Sequence, residues 1–239
     1  MYKRILLKLS GEFLMGEYDY GVDSKALNRI ADEIIGLSEM GVQVVVEVGG
    51  GNIYRWKKAQ PGIRRNVADS MGMLGSVMNA INIRDAITQK NKEARSLSSI
   101  YAPYIVQYYA PAKAIKYMEE NKIVIIGGGT GNQFFTTDTG AVTHALQTEC
   151  EIVLKGTNVD GVYDDDPNKN PNAKKYDKLD FQEAIEKKLA VMDMTAFSLA
   201  QENNLPIIVF NVNKKGSIKK AALGEEIGTQ VKNEGLDKS

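Results

Sequence analysis

Short apolar runs alternate with helical patterns along this chain, and that alternation restricts the fold more than any other feature. Five runs are candidate strands, at residues 5–7, 42–48, 123–126, 152–154 and 207–210. They are mostly apolar and often β-branched, which is typical of strands covered on both faces of a sheet. Regular strand–helix alternation predicts parallel βαβ units. We therefore expect an α/β fold, a three-layer αβα sandwich with a mostly parallel central sheet.

Helical signals fill the intervals between these runs. Leu27, Ile30 and Ile34 recur at helical spacing, behind a potential N-cap at Asp23 and ahead of a stop at Gly41. The stretch 66–90 has helical composition, and a capping-box pattern at 180–183 predicts the start of another helix. Residues 164–175 are rich in Asp, Asn, Pro and Lys, which predicts an exposed loop. Since no low-complexity linker or repeat divides the chain, we expect residues 1–239 to form a single domain.

Composition argues against several classes of protein. Thirty basic residues balance thirty acidic ones, so nothing in the overall charge predicts a nucleic-acid partner. The one cysteine, Cys150, cannot form an intrachain disulfide and suits a reducing compartment. Only three apolar residues separate Arg4 from Lys8, too few for a signal peptide or a membrane helix. We expect a soluble, cytoplasmic protein without a membrane partner.

Two candidate strands end in glycine triplets, at 49–51 and 127–129. Glycine allows the backbone to approach a ligand closely and to direct several N–H groups at one anion. The carboxyl ends of parallel strands meet at one edge, where open α/β sheets bind their ligands. The alternative is a pair of tight turns without a ligand. No Walker A sequence is present, and Tyr54 and Asn132 occupy the final glycine positions of a dinucleotide fingerprint.

Several charged residues lie beside these loops. Lys8 ends the first apolar run and could place a point charge on a transferring phosphate, or simply reach solvent. Asp138 and Asp193 each precede a helical pattern, so an N-cap and an active-site role are both open. The only histidine, His144, lies in the middle of a helical pattern and is expected to be structural. No histidine or cysteine cluster suggests a metal site, and we assign no metal ligand.

Together, these segments resemble the bacterial uridylate (UMP) kinases of the amino acid kinase family. The similarity covers nearly the whole chain, and the motifs follow the family's order. They are residues 3–12, 49–55, 69–73, 129–138 and 155–163, then Asp166 and Pro167, and finally Val191, Met192 and Asp193. Each motif alone is a weak signal, whereas the combination is specific to the family.

The resemblance implies a role for each matching residue. Lys8, Asp138 and Asp193 would be catalytic. Further residues would bind ATP, namely Lys8, Leu9, Ser10, Gly11, Gly51, Arg55, Lys155, Thr157, Tyr163 and Asp166. A third group would bind UMP, namely Gly50, Asp69, Thr130, Gly131, Asn132, Gln133, Phe134, Phe135, Thr136 and Thr137. The N-terminal part would mainly bind the acceptor and the C-terminal part mainly ATP.

The resemblance also implies a reaction, ATP-dependent phosphorylation of UMP to UDP in pyrimidine nucleotide biosynthesis. It further implies Mg²⁺ with ATP, a homohexamer and feedback inhibition by UTP. Two alternatives stay open. One is another enzyme of the same family that acts on a carboxylate or carbamate, although Phe134 and Phe135 with Arg55 and Asp69 favour a nucleotide acceptor. The other is a non-catalytic nucleotide-binding regulator, against which the joint presence of Lys8, Asp138 and Asp193 argues.

Overall fold

A computed structural model describes residues 1–55, 62–167, 169–189 and 192–234 of the chain. Its strands are β1 (Arg4–Leu9), β2 (Gln43–Val48), β3 (Ala94–Ser98), β4 (Gln107–Tyr108), β5 (Ile123–Gly127), β6 (Ile152–Thr157), β7 (Val162–Tyr163), β8 (Lys175–Tyr176), β9 (Lys178–Asp180), β10 (Ile207–Asn211) and β11 (Thr229–Lys232). Its α-helices are α1 (Ser24–Glu39), α2 (Arg65–Thr88), α3 (Pro111–Glu119), α4 (Thr137–Gln147), α5 (Phe181–Glu186), α6 (Met194–Glu202) and α7 (Ser217–Leu223). A short 3-10 helix covers Gly11–Leu14.

One large sheet contains nine of these strands, in the order β4-β3-β5-β2-β1-β6-β10-β11-β9. Neighbouring strands run parallel except at the β10–β11 pair, which is antiparallel. One apolar cluster joins one face of the sheet to α1, α2 and α7, and a second joins the other face to α3, α4, α5 and α6. The predicted three-layer αβα sandwich with a mostly parallel sheet is therefore confirmed. Within the described ranges, no helix is long and apolar enough to cross a membrane.

The predicted elements are present, and the outer strands of the large sheet that the sequence did not predict share one property. All five apolar runs are strands, and α1 begins after the predicted N-cap Asp23, whose carboxylate accepts from the Lys25 N–H. Asp180 caps α5 through the Gln182 N–H, while Glu183 pairs with Lys187 and not with the cap. The unpredicted β3, β4, β9 and β11 lie in the outer parts of the sheet and contain polar residues. A strand with polar positions lacks the continuous apolar signal of a central one.

Helix α2 packs against both glycine triplets and fixes their spacing. A Cβ on Gly50 would lie 2.3 Å from the Gly72 carbonyl oxygen, and one on Gly127 would lie 2.7 Å from the Ser76 carbonyl oxygen. The Ser76 hydroxyl also accepts a hydrogen bond of 2.6 Å from the Gly128 N–H. Glycine is required at positions 50 and 127 because the helix backbone leaves no room for a side chain. Close packing thus accounts for part of each triplet.

The packing at Gly127 leads to a stability prediction. In Gly127→Ala, the new methyl group would overlap the backbone of Ser76 and Val77, each 2.7 Å away. We expect the free energy of unfolding to fall by about 1–3 kcal/mol, the usual cost of overpacking. Urea denaturation of the parent and the variant measures this difference.

Gly36 provides the matched control. It lies within α1, and a Cβ there would meet nothing within 4 Å. Gly36→Ala should stabilise the protein by about 0.5–1 kcal/mol through helix propensity. Equal effects at the two positions would contradict the packing explanation.

Candidate active site

A cavity of about 480 Å³ opens at the carboxyl edge of the central strands, between the two glycine triplets and α2. It is lined by many of the residues predicted from the sequence: Lys8, Ser10, Gly50, Gly51, Arg55, Asp69, Thr130, Asn132, Phe135, Thr136 and Thr137. Parallel strands place their carboxyl ends together, which is why residues from β1, β2 and β5 reach one cavity. The fold therefore gathers candidate ATP and acceptor residues around a single space.

Lys8 belongs to a buried cluster of three charged side chains. Its Nζ lies 2.6 Å from Oδ1 of Asp138, and Nζ of Lys155 lies 2.5 Å from Oδ2 of the same carboxylate. Lys8 and Lys155 are in register on the adjacent strands β1 and β6, so both point to the face covered by α4. Asp138 lies in the first turn of α4, between the two ammonium groups. The carboxylate thereby fixes the position of both lysines.

The electrostatics of this cluster follow from burial and pairing. Burial alone would raise the pKa of Asp138, but Lys8 and Lys155 outweigh it and lower the pKa to about 2. Burial lowers the pKa of Lys155 to about 8, against the opposing effect of Asp138. Asp138 is thus a permanent anion at neutral pH and a poor proton acceptor. Its role is to orient cations.

Asp193 has a different environment. It is the N-cap of α6 and accepts a hydrogen bond of 2.9 Å from the Ala196 N–H. Its carboxylate also accepts from the hydroxyls of Thr136 and Thr139, the cap and an early residue of α4. The N-cap expectation is confirmed for Asp193, whereas Thr136, not Asp138, caps α4. Asp193 ties the starts of two helices together beside the cavity; its predicted motif partner Val191 lies outside the described residues.

On the acceptor side, Asp69 connects α2 to the loop after β5. Its carboxylate pairs with Nε of Arg65 at 2.8 Å and accepts a 2.9 Å hydrogen bond from the Phe134 N–H. The Arg65 guanidinium carbon lies 6.0 Å from the centre of the Phe134 ring. Phe134 adopts a positive φ of 71°, a conformation that a bulky residue rarely adopts without support. The Asp69 hydrogen bond provides that support.

Arg55 follows the first glycine triplet and pairs with Glu12 of the 3-10 helix. Arg55 Nη2 lies 2.5 Å from Glu12 Oε1, and the Arg55 side chain is 41% exposed. The pair bridges the loop after β1 and the loop after β2, both of which line the cavity. An exposed guanidinium in this position can exchange its carboxylate partner for a phosphate.

Some predicted residues do not line this cavity. Leu9 has a buried side chain, and Gly11 packs against the first triplet, where a Cβ would lie 2.6 Å from the Gly49 carbonyl oxygen. Tyr163 and Asp166 line a second cavity of about 510 Å³ beside the two-stranded sheet β7–β8. The other predicted residues that do not line the first cavity are Gly131, Gln133, Phe134, Asp138, Lys155, Thr157 and Asp193. Of these, Asp138 contacts Lys8, which lines the cavity, and Lys155 is in register with Lys8 on the adjacent strand.

Sequence reasoning assigned no role to several residues that shape the site. Glu12 and Arg65 pair with predicted residues, and Asn79 donates 2.7 Å and 2.6 Å hydrogen bonds to the Gly49 carbonyl and to Asn52 Oδ1. Arg65 lies one helical turn before Asp69, and this i, i+4 spacing is a signal that could have found it. Asn79 had no such signal, because a polar residue in a helical pattern usually faces solvent.

With this geometry established, comparison with known proteins identifies the family. A sequence profile described as the amino acid kinase family matches residues 3–211. The chain belongs to the amino acid kinase family.

Individual members of the amino acid kinase family are similar over almost the whole chain. A uridylate kinase of Psychromonas ingrahamii is 50% identical over 97% of this chain and 93% of its own length, and one of Shewanella putrefaciens is 48% identical over 97% and 95%. The solved structure of UMP kinase from Bacillus anthracis is 38% identical, with a TM-score of 0.94 over 98% of this chain and 97% of that one. Uridylate kinase from Archaeoglobus fulgidus is 26% identical, with a TM-score of 0.73 over 97% of this chain and 100% of that one.

The buried cluster generates a prediction about stability and pH. Asp138→Asn would remove the carboxylate that contacts both buried ammonium groups, so the free energy of unfolding at pH 7 should fall by about 3–5 kcal/mol. This loss of stability should be smaller at pH 9. An unpaired lysine with a lowered pKa loses its proton in the folded state but keeps it in the unfolded state. Because the unfolded state then binds more protons, the free energy of unfolding of the variant rises with pH. Urea denaturation at the two pH values tests both statements.

Asp32→Asn is the control for this variant. Asp32 pairs with Lys90 at 2.8 Å, but its side chain is 62% exposed. Loss of such a surface pair should change the free energy of unfolding by less than about 1 kcal/mol at either pH. An Asp138→Asn variant as stable as this control would show that the cluster is not an energetic unit.

Proposed function

We propose that this chain transfers the terminal phosphoryl group of ATP directly to UMP, forming UDP and ADP, in pyrimidine nucleotide biosynthesis. The observation that carries the proposal is the Lys8–Asp138–Lys155 cluster, which presents the Lys8 ammonium group to a cavity lined by both glycine loops. Family membership and relatives named uridylate kinase support UMP as the acceptor. They do not favour a carboxylate or carbamate acceptor, nor a non-catalytic regulator.

The proposed mechanism needs no general base. A phosphate acceptor has a second pKa of about 6 and is largely dianionic near neutral pH, so its oxygen can attack without losing a proton. The difficulty is repulsion between two anionic phosphates, which oriented positive charge and in-line alignment overcome. Lys8, held by Asp138, would place its charge on the moving phosphoryl group. Arg55 and the N–H groups of Ser10 and Gly51, all of which line the cavity, would bind phosphate oxygens.

We propose that Mg²⁺ enters with ATP and is held by phosphate oxygens. Both nearby carboxylates are engaged, Asp138 by two lysines and Asp193 by hydroxyl and N–H donors. Within the part of the chain that the structure describes, no group of three or more His, Cys, Asp or Glu side chains could hold a metal. This donor set fits a nucleotide-bound ion, the usual state of Mg²⁺ in phosphoryl transfer. Bound Mg²⁺ would neutralise phosphate charge, and we assign it no protein ligand.

The acceptor and the ATP nucleoside would occupy different parts of the site. We propose that UMP lies along α2 and the loop 130–137, where Asp69, Thr130 and Phe135 line the cavity. The nucleoside of ATP would extend towards Thr157, Tyr163 and Asp166. We accordingly propose that residues 1–239 form a single domain. Its N-terminal part would mainly bind the acceptor and its C-terminal part mainly ATP.

We further propose a cytoplasmic homo-oligomer, a hexamer by analogy with the family, with UTP as a feedback inhibitor. The support for assembly is an exposed apolar stripe on α2 formed by Val67, Met71, Leu74 and Met78, which recur at helical spacing. The support for the reducing cytoplasm is a buried thiol, Cys150. Light scattering after size-exclusion chromatography measures the assembly, and initial rates with added UTP measure the inhibition.

Substrate choice is the most direct test of the function. In an ADP-release assay with a panel of acceptors, UMP should be phosphorylated with a strong preference over AMP and GMP. The physical reason is that loop 130–137 and Asp69 shape one side of the cavity with fixed polar groups, and such groups reject ligands that leave them unpaired. Carbamate and small carboxylates should give no turnover. Equal rates with purine monophosphates would contradict UMP as the acceptor.

Lys8→Met tests the catalytic assignment. Methionine retains an apolar stem of similar length and removes the charge. If the charge acts mainly in the transition state, turnover should fall by about 10²–10³ while the KM for UMP changes little. Steady-state kinetics with UMP and ATP measure both parameters.

Lys3→Met is the control, since Lys3 is exposed and directly precedes the other end of β1. It should turn over like the parent. If Lys8→Met also did so, with its fold and assembly intact, the positive field would have to come from Arg55 and the glycine loops.

A further inference from the structure

A second buried carboxylate lies behind the charged cluster, on the strand next to Lys8. Glu47 of β2 is in register with Lys8 of β1, which is itself in register with Lys155 of β6. Residues in register on parallel strands share a face of the sheet and lie about 4.8 Å apart. Glu47, Lys8 and Lys155 therefore form one row across three strands, beneath α4. Glu47 is 0% exposed, in a strand whose other described positions are mostly valine.

His144 of α4 holds the Glu47 side chain in place. Its Nδ1 lies 2.9 Å from Glu47 Oε2, and its Nε2 lies 3.2 Å from the Ser99 hydroxyl. The Tyr109 ring packs on the imidazole, with centres 4.4 Å apart. The expectation that His144 is structural fits these contacts, but they also give Glu47 a fixed orientation close to the site.

The other carboxylate oxygen of Glu47 is directed at the start of α4. Oε1 is buried and has no hydrogen-bond partner within the described ranges. A Cβ on Gly140 would lie only 3.2 Å from it, so a glycine two residues after Asp138 makes room for this oxygen. A buried carboxylate oxygen without a hydrogen bond is costly unless nearby positive charge stabilises it.

Lys8, on the neighbouring strand β1, provides positive charge beside Glu47. The titratable groups that interact with Glu47 are Lys8 from β1, His144 from α4 and Tyr109 ahead of α3, while its register partner on β5 is the apolar Ile126. Without Glu47, two ammonium groups share one carboxylate, and the buried row has a net positive charge. Burial raises the pKa of Glu47, and His144 and Lys8 act against that rise. With Glu47 ionised, two ammonium groups face two carboxylates. Buried charges are tolerated when they are paired in this way.

We propose that Glu47 is a positioning residue for the phosphoryl transfer: its carboxylate, oriented by His144, keeps Lys155 charged and the Lys8–Lys155 pair in place under the glycine loops. The inference rests on the proposed function, because it concerns the same Lys8. Glu47 does not line the cavity and acts through Lys8, not on the substrate.

The consequence appears on the alkaline side of the pH profile. The pKa of Lys155, lowered by burial to about 8, already lies close to neutral pH. A negative charge beside the cluster favours the protonated form of Lys155, so its removal makes the deprotonation of Lys155 easier. The alkaline limb of kcat/KM for ATP reports ionisations of the free enzyme. That limb should move to lower pH when the Glu47 charge is lost.

Two variants separate the charge of Glu47 from its hydrogen bond. Glu47→Gln keeps the size and the bonding capacity but removes the charge, and Glu47→Asp keeps the charge on a shorter stem. We expect the alkaline limb in Glu47→Gln to shift down by about one pH unit, so that kcat/KM falls about tenfold below the parent at pH 9 and only about twofold below it at pH 7. Glu47→Asp should keep the parental limb. An unshifted limb in Glu47→Gln, or equal shifts in both variants, overturns the proposal.

Glu33→Gln is the matched control, because Glu33 is also partly buried, pairs with Arg29 at 3.2 Å and has a buried oxygen without a hydrogen bond among the described residues. It lies on α1, whose buried residues pack on the opposite face of the sheet. Its pH profile should match the parent. No UMP phosphorylation by the parent would refute the proposed function, whereas an active parent with an unshifted Glu47→Gln would refute only the role of Glu47.

Infrared spectroscopy tests the charge state of Glu47 even if Glu47→Gln does not fold. At pH 7 the parent should show no carbonyl stretching band of a protonated carboxyl group attributable to Glu47. Burial raises the pKa of Glu33 as well, so the spectrum is recorded on Glu33→Gln, which removes that contribution. In the Glu33→Gln background, a protonated-carboxyl band that shifts or disappears on Glu47→Asp substitution overturns the proposal.

Discussion

The carboxylate of Asp138 between two buried ammonium groups is the interaction on which the site depends. Lys8 and Lys155 come from adjacent strands, and like charges so close would repel each other in a dry environment. Asp138 neutralises this repulsion from the first turn of α4 and thereby sets where that helix crosses the sheet. One ion cluster thus contributes to the packing of a helix, to the orientation of Lys8 and to the positive field at the cavity. Stability and proposed catalysis draw on the same contacts.

Asp193 and α2 fix the remaining boundaries of the cavity. The Asp193 carboxylate joins the starts of α4 and α6. Because Asp138 lies in the first turn of α4, this contact also helps to hold the charged cluster in place. On the opposite face, α2 contacts both glycine triplets at Gly50 and Gly127 and leaves no space for side chains there. The distance between the loops is therefore set by a rigid helix. A site that must align two phosphates gains from such rigidity, since small errors of position are costly in rate.

Charge in this protein is arranged in layers. The exposed pair Arg55–Glu12 lies at the rim of the cavity, the Lys8–Asp138–Lys155 cluster at its floor, and Glu47 with His144 one strand further along the sheet. The rim is solvated, and its partners can be exchanged for ligand groups at little cost. The floor is buried, where pairing is obligatory and pKa values depart from their usual range. This gradient explains why an arginine suits the rim and a carboxylate-held lysine suits the floor.

The sequence by itself determined the local features of this protein. The apolar runs, the caps at Asp23 and Asp180, the glycine triplets and the place of Lys8 at a strand end all depend on residues close together in the chain. Only the tertiary structure decided which distant segments became neighbours. The strand order β2-β1-β6 places Glu47, Lys8 and Lys155 in one row, and α4 brings Asp138 and His144 onto it. Asp193 could be predicted as a cap, but its bonds to Thr136 and Thr139 depend on how two helices pack. Such contacts join residues separated by tens of positions, and they are set by the burial of apolar faces and the pairing of buried charge, which no local pattern encodes.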